Sequence, residues 1–204
     1  MNENPECQLC PLHETANSSS ICLKGEGDRD ADLLIFLDAP TLVEDKRHRG
    51  VVSEASSLLK WMLRRMSVDS YYIDYIVKCY PKGYKAFRRK PERSECIQAC
   101  SVYRFATLQM IKPKTVLAMG ALSCETFLHS DKVGDFEGTH WTPEEPEVRE
   151  YVEQVWVTYS PAYALEAPAE SVGIYRTIQA AAMAAGLQPK LNLNIKPKVF
   201  DYGF

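Results

Sequence analysis

The chain has 204 residues, 46% of them apolar, and a formal net charge of −3. That suffices for one sizeable core and a single domain. No apolar run approaches the ~18 residues of a membrane span, and Met1-Asn2-Glu3-Asn4 lacks the basic and apolar stretches of a signal peptide. A cytoplasmic protein is therefore expected, and its seven cysteines read as metal ligands plus buried thiols rather than a disulfide framework.

Cys7-Gln8-Leu9-Cys10 is a C-x-x-C, a spacing shared by zinc sites, redox pairs and iron–sulfur ligands. Asp32 to Leu37 is a continuous apolar run ending at Asp38-Ala39-Pro40, the pattern of a buried parallel strand. Chemistry in open α/β sheets collects at the carboxyl ends of strands, which makes Asp38 the first candidate acid. A cap or loop role is the alternative. Glu44 to Gly50 reads as a charged loop. Ser53 caps a helix whose Leu58, Leu59, Met62, Leu63 and Met66 form one apolar face.

Tyr72 to Val77 is a second strand, leading through Lys78-Cys79 into a basic loop. Lys78 to Lys90 holds six Lys/Arg and no acid, whereas Glu137 to Glu153 is acid-rich, an asymmetry that permits a basic binding face on an acidic protein. A helix predicted over 94–110 carries Cys96 and Cys100 one turn apart on one face. Further strands at 115–120 and 155–159 and helices at 121–128 and 171–185 complete an alternating pattern, which argues a parallel α/β sheet. The second of these strands exits at Ser160-Pro161. Leu191 to Ile195 alternates apolar and polar residues ahead of an aromatic end.

Several of these stretches together resemble the iron–sulfur (family 4) uracil-DNA glycosylases: Cys7 to Thr15 with Gly25-Glu26-Gly27, Asp38-Ala39-Pro40, Glu44-Asp45 through Gly50-Val51-Val52-Ser53 to Leu58-Leu59, Val77-Lys78-Cys79, Lys112-Pro113-Lys114, Ala118-Met119-Gly120, and Thr158 to Ala162. The resemblance covers residues 7 to 180. It implies a three-layer α/β/α fold with a mostly parallel four-stranded sheet over 1–187, leaving 188–204 as a tail. It also implies a 4Fe–4S cluster on Cys7, Cys10, Cys79 and Cys100, with Cys96 the alternative fourth ligand. Without the resemblance, a zinc ion on the same thiolates stays open. Cys22 and Cys124 read as buried small residues.

The resemblance places Ala39, Val51 and Tyr75 around the base pocket, with Asp38 and Ser160 at the catalytic positions. The family's stacking Phe is here Val51, its uracil-reading Asn is Tyr75, its motif His is Ser160, and its strand-end Glu is Asp38. Losing one preorganised donor to a developing anion costs on the order of 10²–10³ in rate, and losing base stacking costs roughly 1–3 kcal/mol. The expectation is a DNA-binding, nucleoid-associated protein that has lost uracil excision and serves replication or repair, against the alternative of an active glycosylase for uracil or another base. Lys82, Lys85, Arg88, Arg89 and Lys90, with Tyr84 and Phe87 interleaved, would contact single- or double-stranded DNA. The tail would dock by strand addition on a polymerase or other replication protein, or cover its own sheet edge.

Overall fold

The computed structural model describes residues 4–16, 20–89 and 91–190. Lys90 and the alternating tail from Leu191 onward lie outside them. In chain order the elements are α1 (Leu12–Thr15), β1 (Glu26–Gly27), β2 (Leu33–Leu37), α2 (Leu42–Arg47), α3 (Glu54–Arg65), β3 (Tyr72–Tyr75), α4 (Tyr84–Phe87), α5 (Glu92–Ala99), α6 (Ser101–Ile111), β4 (Thr115–Met119), α7 (Ala121–Leu128), β5 (His140–Trp141), α8 (Pro146–Arg149), β6 (Gln154–Thr158), α9 (Pro161–Glu166) and α10 (Ser171–Ala184).

The strands form one sheet in the order β1-β3-β2-β4-β6-β5. The four central strands are parallel, as the apolar runs predict, and β1 and β5 add short antiparallel edges. These edges, two residues each, are too short to leave a periodic signal in the sequence.

Side-chain alternation along each strand builds the two layers of core. Leu34 and Phe36 of β2 and Val116 and Ala118 of β4 pack on the face that carries Leu108, Leu122 and Phe127. Leu33, Ile35 and Leu37, with Leu117 and Met119, pack on the opposite face against α3 and α10. Each such Leu, Ile or Phe contributes about 1.5–3 kcal/mol when fully buried. No helix among the described residues is long and apolar enough to cross a membrane.

Three local expectations are corrected. The charged segment after Pro40 is helical, because Thr41 accepts from the Glu44 N–H while the Glu44 carboxylate takes the Thr41 N–H, a capping box. The helix expected over 94–110 is two, α5 and α6, joined at Cys100. Lys78 is no part of a basic surface: it is buried in an ion pair with the equally buried Asp74.

Candidate functional site

After β2 the chain crosses to β3 on one side, then returns to β4 on the other, so the carboxyl ends of β2 and β4 flank a topological switch point. Asp38 leaves β2 there, and Gly120 leaves β4 beside it. Gly120 has φ 114°, and a Cβ on it would fall inside the Asp38 carboxylate. Only glycine lets the two strand ends approach this closely.

Asp38 is buried, and both of its oxygens are hydrogen-bonded. Its Oδ1 accepts from the Ser123 N–H at 2.8 Å and the Ser123 hydroxyl at 2.9 Å, at the start of α7. Its Oδ2 accepts from the Tyr84 hydroxyl. Burial pushes the Asp38 carboxyl above its ordinary range, against the pull of the Tyr84 and Ser123 donors. Burial and the Asp38 charge likewise raise the Tyr84 phenol. A carboxyl with a raised native pKa adds stability in acid, and that contribution is lost as pH rises through the native value. Asp38→Asn is therefore expected to melt higher than the parent at pH 8, by of order 1 kcal/mol or about 2–4 °C. The gain should shrink on titration towards pH 4; calorimetry across that range checks it.

A cavity of about 220 Å³ lies beside Asp38, lined by Ala39, Pro40, Tyr75, Tyr80, Tyr84, Ser160 and Pro161 among others. That is below the ~300–1,000 Å³ of drug-sized sites and suits a single nucleobase. The Ser160 Oγ accepts from the Tyr163 N–H at 3.2 Å as the cap of α9, which leaves its proton free to donate. Val51 does not line this space. It stands behind Tyr75, whose hydroxyl accepts from the Val51 N–H at 2.7 Å, while Lys60 Nζ donates to the Val51 carbonyl at 3.0 Å. These bonds hold a β-branched residue at φ 57°, a conformation such residues rarely adopt.

Tyr84 also lines a second cavity of about 240 Å³ with Lys85, Arg88 and Asp131, and the two cavities share Asp38, Tyr84, Ser160 and Ala162. The basic loop thus supplies the wall of the pocket. Lys82, Lys85 and Arg89 are exposed and Arg88 is half-buried. Lys85 pairs with Glu166 at 3.0 Å, both largely exposed, a weak contact that a phosphate can displace. Phe87, expected beside these cations as a base-stacking ring, is instead buried in the core, and Tyr84 is committed to Asp38. The exposed ring near this rim is Tyr163, paired with Tyr159 at 4.6 Å between centroids.

On the other side of the loop the cysteines gather. Cys7, Cys10, Cys22, Cys79, Cys96 and Cys100 are all buried. Four sulfurs accept backbone N–H groups: Cys79 from Cys22 at 3.3 Å, Cys10 from Leu12, Cys100 from Lys78 and Cys22 from Asn4. Cys96 differs, since its thiol hydrogen-bonds to the sulfur of Cys10, which lowers Cys10 to about 6 and raises Cys96. Burial pushes the Cys79 and Cys100 thiols up to about 12. Among the described residues no three His, Cys, Asp or Glu side chains converge on a point that would hold one ion. Cys124 is buried elsewhere, within reach of the Asp38 charge.

The profile of the Uracil DNA glycosylase superfamily matches residues 24–184. The chain belongs to the uracil-DNA glycosylase superfamily. Among curated members of this superfamily, it is 29% identical over 170 residues to the Type-4 uracil-DNA glycosylase of Pyrobaculum aerophilum, covering 80% of this chain and 81% of that protein. It is 30% identical over 168 residues to that of Sulfurisphaera tokodaii, covering 79% and 72%. With the Type-4 uracil-DNA glycosylase of Thermotoga maritima the identity is 32% over 130 residues, 63% of this chain. In this superfamily member, Tyr84 and Glu44 line the pocket, where the sequence had placed one on the DNA-contacting loop and the other in a charged loop, and Ser123, which the sequence did not single out, holds Asp38 from the buried side. For Ser123 the available signal was its position three residues after the strand-ending Gly120, where a helix N-terminus faces back towards the sheet.

Proposed function

We propose that this chain is a DNA-binding 4Fe–4S protein whose pocket has lost uracil excision, with an accessory role in replication or repair. The observation that carries the reading is the closed state of Asp38: both carboxylate oxygens accept hydrogen bonds from Ser123 and Tyr84. Three of its roughly four acceptor positions are taken, which leaves one on Oδ2 to orient a water. Tyr75 supports the same reading, since its hydroxyl is committed to the Val51 N–H and cannot present the paired donor and acceptor with which an amide reads a base edge.

The donor set supports the cluster. Buried thiols whose ionisation is costly need a cation to hold them as thiolates. A cluster takes one thiolate per iron, so its ligands surround a volume, whereas zinc needs four sulfurs at one point. Cys7, Cys10, Cys79 and Cys100 are the proposed ligands. The backbone N–H groups received by Cys10, Cys79 and Cys100 suit ligand sulfurs, though Cys22 receives one as well, and Cys96, hydrogen-bonded to the Cys10 sulfur, is the alternative fourth ligand. When bound, the cluster supplies cohesion, tying the amino-terminal arm and the basic loop to the core.

A second reading, an active glycosylase for a different base, is favoured by the cavity beside Asp38 and the free Ser160 proton. One experiment separates them. Anaerobically purified protein is incubated with single- and double-stranded oligonucleotides carrying uracil, hydroxymethyluracil or hypoxanthine. The expected result is no base release together with salt-sensitive DNA binding. Arg88→Ala/Arg89→Ala should flatten the slope of log K against log salt by about 2 on duplex. Base release abolished by Asp38→Asn would establish the second reading instead.

A further inference from the structure

We propose that the outer face of α2 is a second DNA-contacting surface, sharing the pocket rim with the basic loop, so that a bound strand crosses the pocket with cations before and after it. The inference rests on the DNA-binding reading above. It adds Lys46, Arg47 and Arg49 as phosphate contacts and Leu42 as an apolar contact at the rim.

In sequence, Glu44 to Arg49 sets two acids beside three Lys/Arg and advertises no sign. The fold sorts these charges. Glu44 is 1% exposed and Asp45 8%; the first is turned onto the starts of α2 and α3, and the second accepts from the Ser20 hydroxyl. Lys46, Arg47, His48 and Arg49 are all exposed. Among the described residues no acid pairs with Lys46 or Arg47. Arg49 meets Glu26 at 3.6 Å with both side chains exposed, a contact that a phosphate can displace.

Residues 42, 43, 46 and 47 are three and four apart and so share a helix face. Leu42 and Val43 stand on it at 46% and 43% exposure. Cations in a last turn complement the helix dipole, but that does not account for two adjacent aliphatic side chains left in water beside them. Position indicates what covers this face. α2 follows the carboxyl end of β2 and the basic loop follows that of β3. Thr41, Leu42 and Glu44 line the cavity beside Asp38 together with Tyr80 and Tyr84 of that loop. Six helical residues span about 9 Å, so the cations ending α2 lie within two or three nucleotide steps of the rim, at about 3.4 Å each. A groove of about 450 Å³ lined by Lys24, His48, Arg49 and Gly50 continues from that end. A DNA strand fits both halves of the face: its phosphates meet the cations, and its sugars and bases cover Leu42.

The test measures binding of anaerobically purified protein to single- and double-stranded oligonucleotides across a salt series. It compares the parent with Lys46→Gln/Arg47→Gln, which keeps helix propensity, with Leu42→Ser, and with Arg64→Ala/Arg65→Ala as a control of equal charge. The control residues are exposed at the end of α3, which runs back to the amino end of β3 and so to the end of the sheet opposite the pocket. The α2 variant should flatten the slope of log K against log salt by about 1.8 on duplex and about 1.4 on a single strand, in addition to the loss from Arg88→Ala/Arg89→Ala. The control should keep the parent slope. Leu42→Ser should weaken binding roughly 3–10-fold at unchanged slope, and unchanged affinity there overturns the rim contact. A parent slope in the α2 variant, or an equal fall in the control, overturns the α2 surface and leaves the DNA-binding reading standing. A parent protein that does not bind DNA overturns both.

Discussion

Lys78→Met alone is expected to destabilise the fold by about 3–5 kcal/mol, whereas Lys78→Met with Asp74→Leu should be nearly neutral or even stabilising. Both side chains are essentially inaccessible, at 1% and 0% exposure. Removing the ammonium strands a carboxylate where water cannot reach it. Removing both charges leaves one main-chain donor, the Tyr75 N–H, without its Asp74 acceptor, while Thr107, which donates to Asp74 at 2.6 Å, keeps the Tyr103 carbonyl at 3.0 Å. Urea titrations of the two variants check this, the midpoint falling sharply in the first and recovering in the second. A single variant within 1 kcal/mol of the parent would mean that Asp74 finds another partner or takes up a proton. The pair also matters for position. It fixes the exit of β3 against α6, and so sets where Cys79 and Cys100 stand relative to each other.

Cys79→Ser is expected to remove the absorbance of the anaerobically purified protein and lower its stability by several kcal/mol, since binding energy at such a site is folding energy. The damage should be local at first. The amino-terminal arm has one short helix of its own, α1, and is held by Cys7, Cys10 and the contact of the Cys22 N–H with Cys79. Limited proteolysis should therefore cut near residue 20 in the variant and not in the parent. Cys124→Ser serves as the control: its sulfur is buried on α7, away from the others, and the change should cost about 1–2 kcal/mol with the colour kept. Loss of colour in both variants would detach the cofactor from this cysteine set.

The central sheet was legible because β2 and β4 are fully buried runs, apolar but for Thr115, that end in Asp-Ala-Pro and Gly120, and β3 and β6 flank them as shorter apolar stretches. Ser53 was legible as a cap for the same local reason. What escaped were features set by contact rather than by pattern. The stretch from Leu42 to Arg47 lacks a helical apolar stripe, and it folds as a helix because Thr41 and Glu44 satisfy each other; the T-x-x-E signature was present but outweighed by the charges. Phe87 looked like a stacking aromatic among cations, yet one turn of helix rotates it into the core. Asp74 and Lys78 sit in sequence like ordinary strand-end charges, and only the packing of α6 across β3 reveals that they are sealed together.

Glu44 has a mechanical consequence. Its carboxylate accepts from the Thr41 N–H and hydroxyl, the Val52 and Ser53 N–H groups and the Ser56 hydroxyl. One carboxylate thereby clamps the start of α2 to the start of α3, and that side of the pocket is a fixed frame. The facing side is held by the Tyr84 hydroxyl on Asp38, by Phe87 seated in the core and by Arg93, which donates to the Arg88 carbonyl. Both walls are thus pinned, one by a single carboxylate and the other at three points along one short turn, so the cations that would meet a DNA strand are carried on an anchored finger.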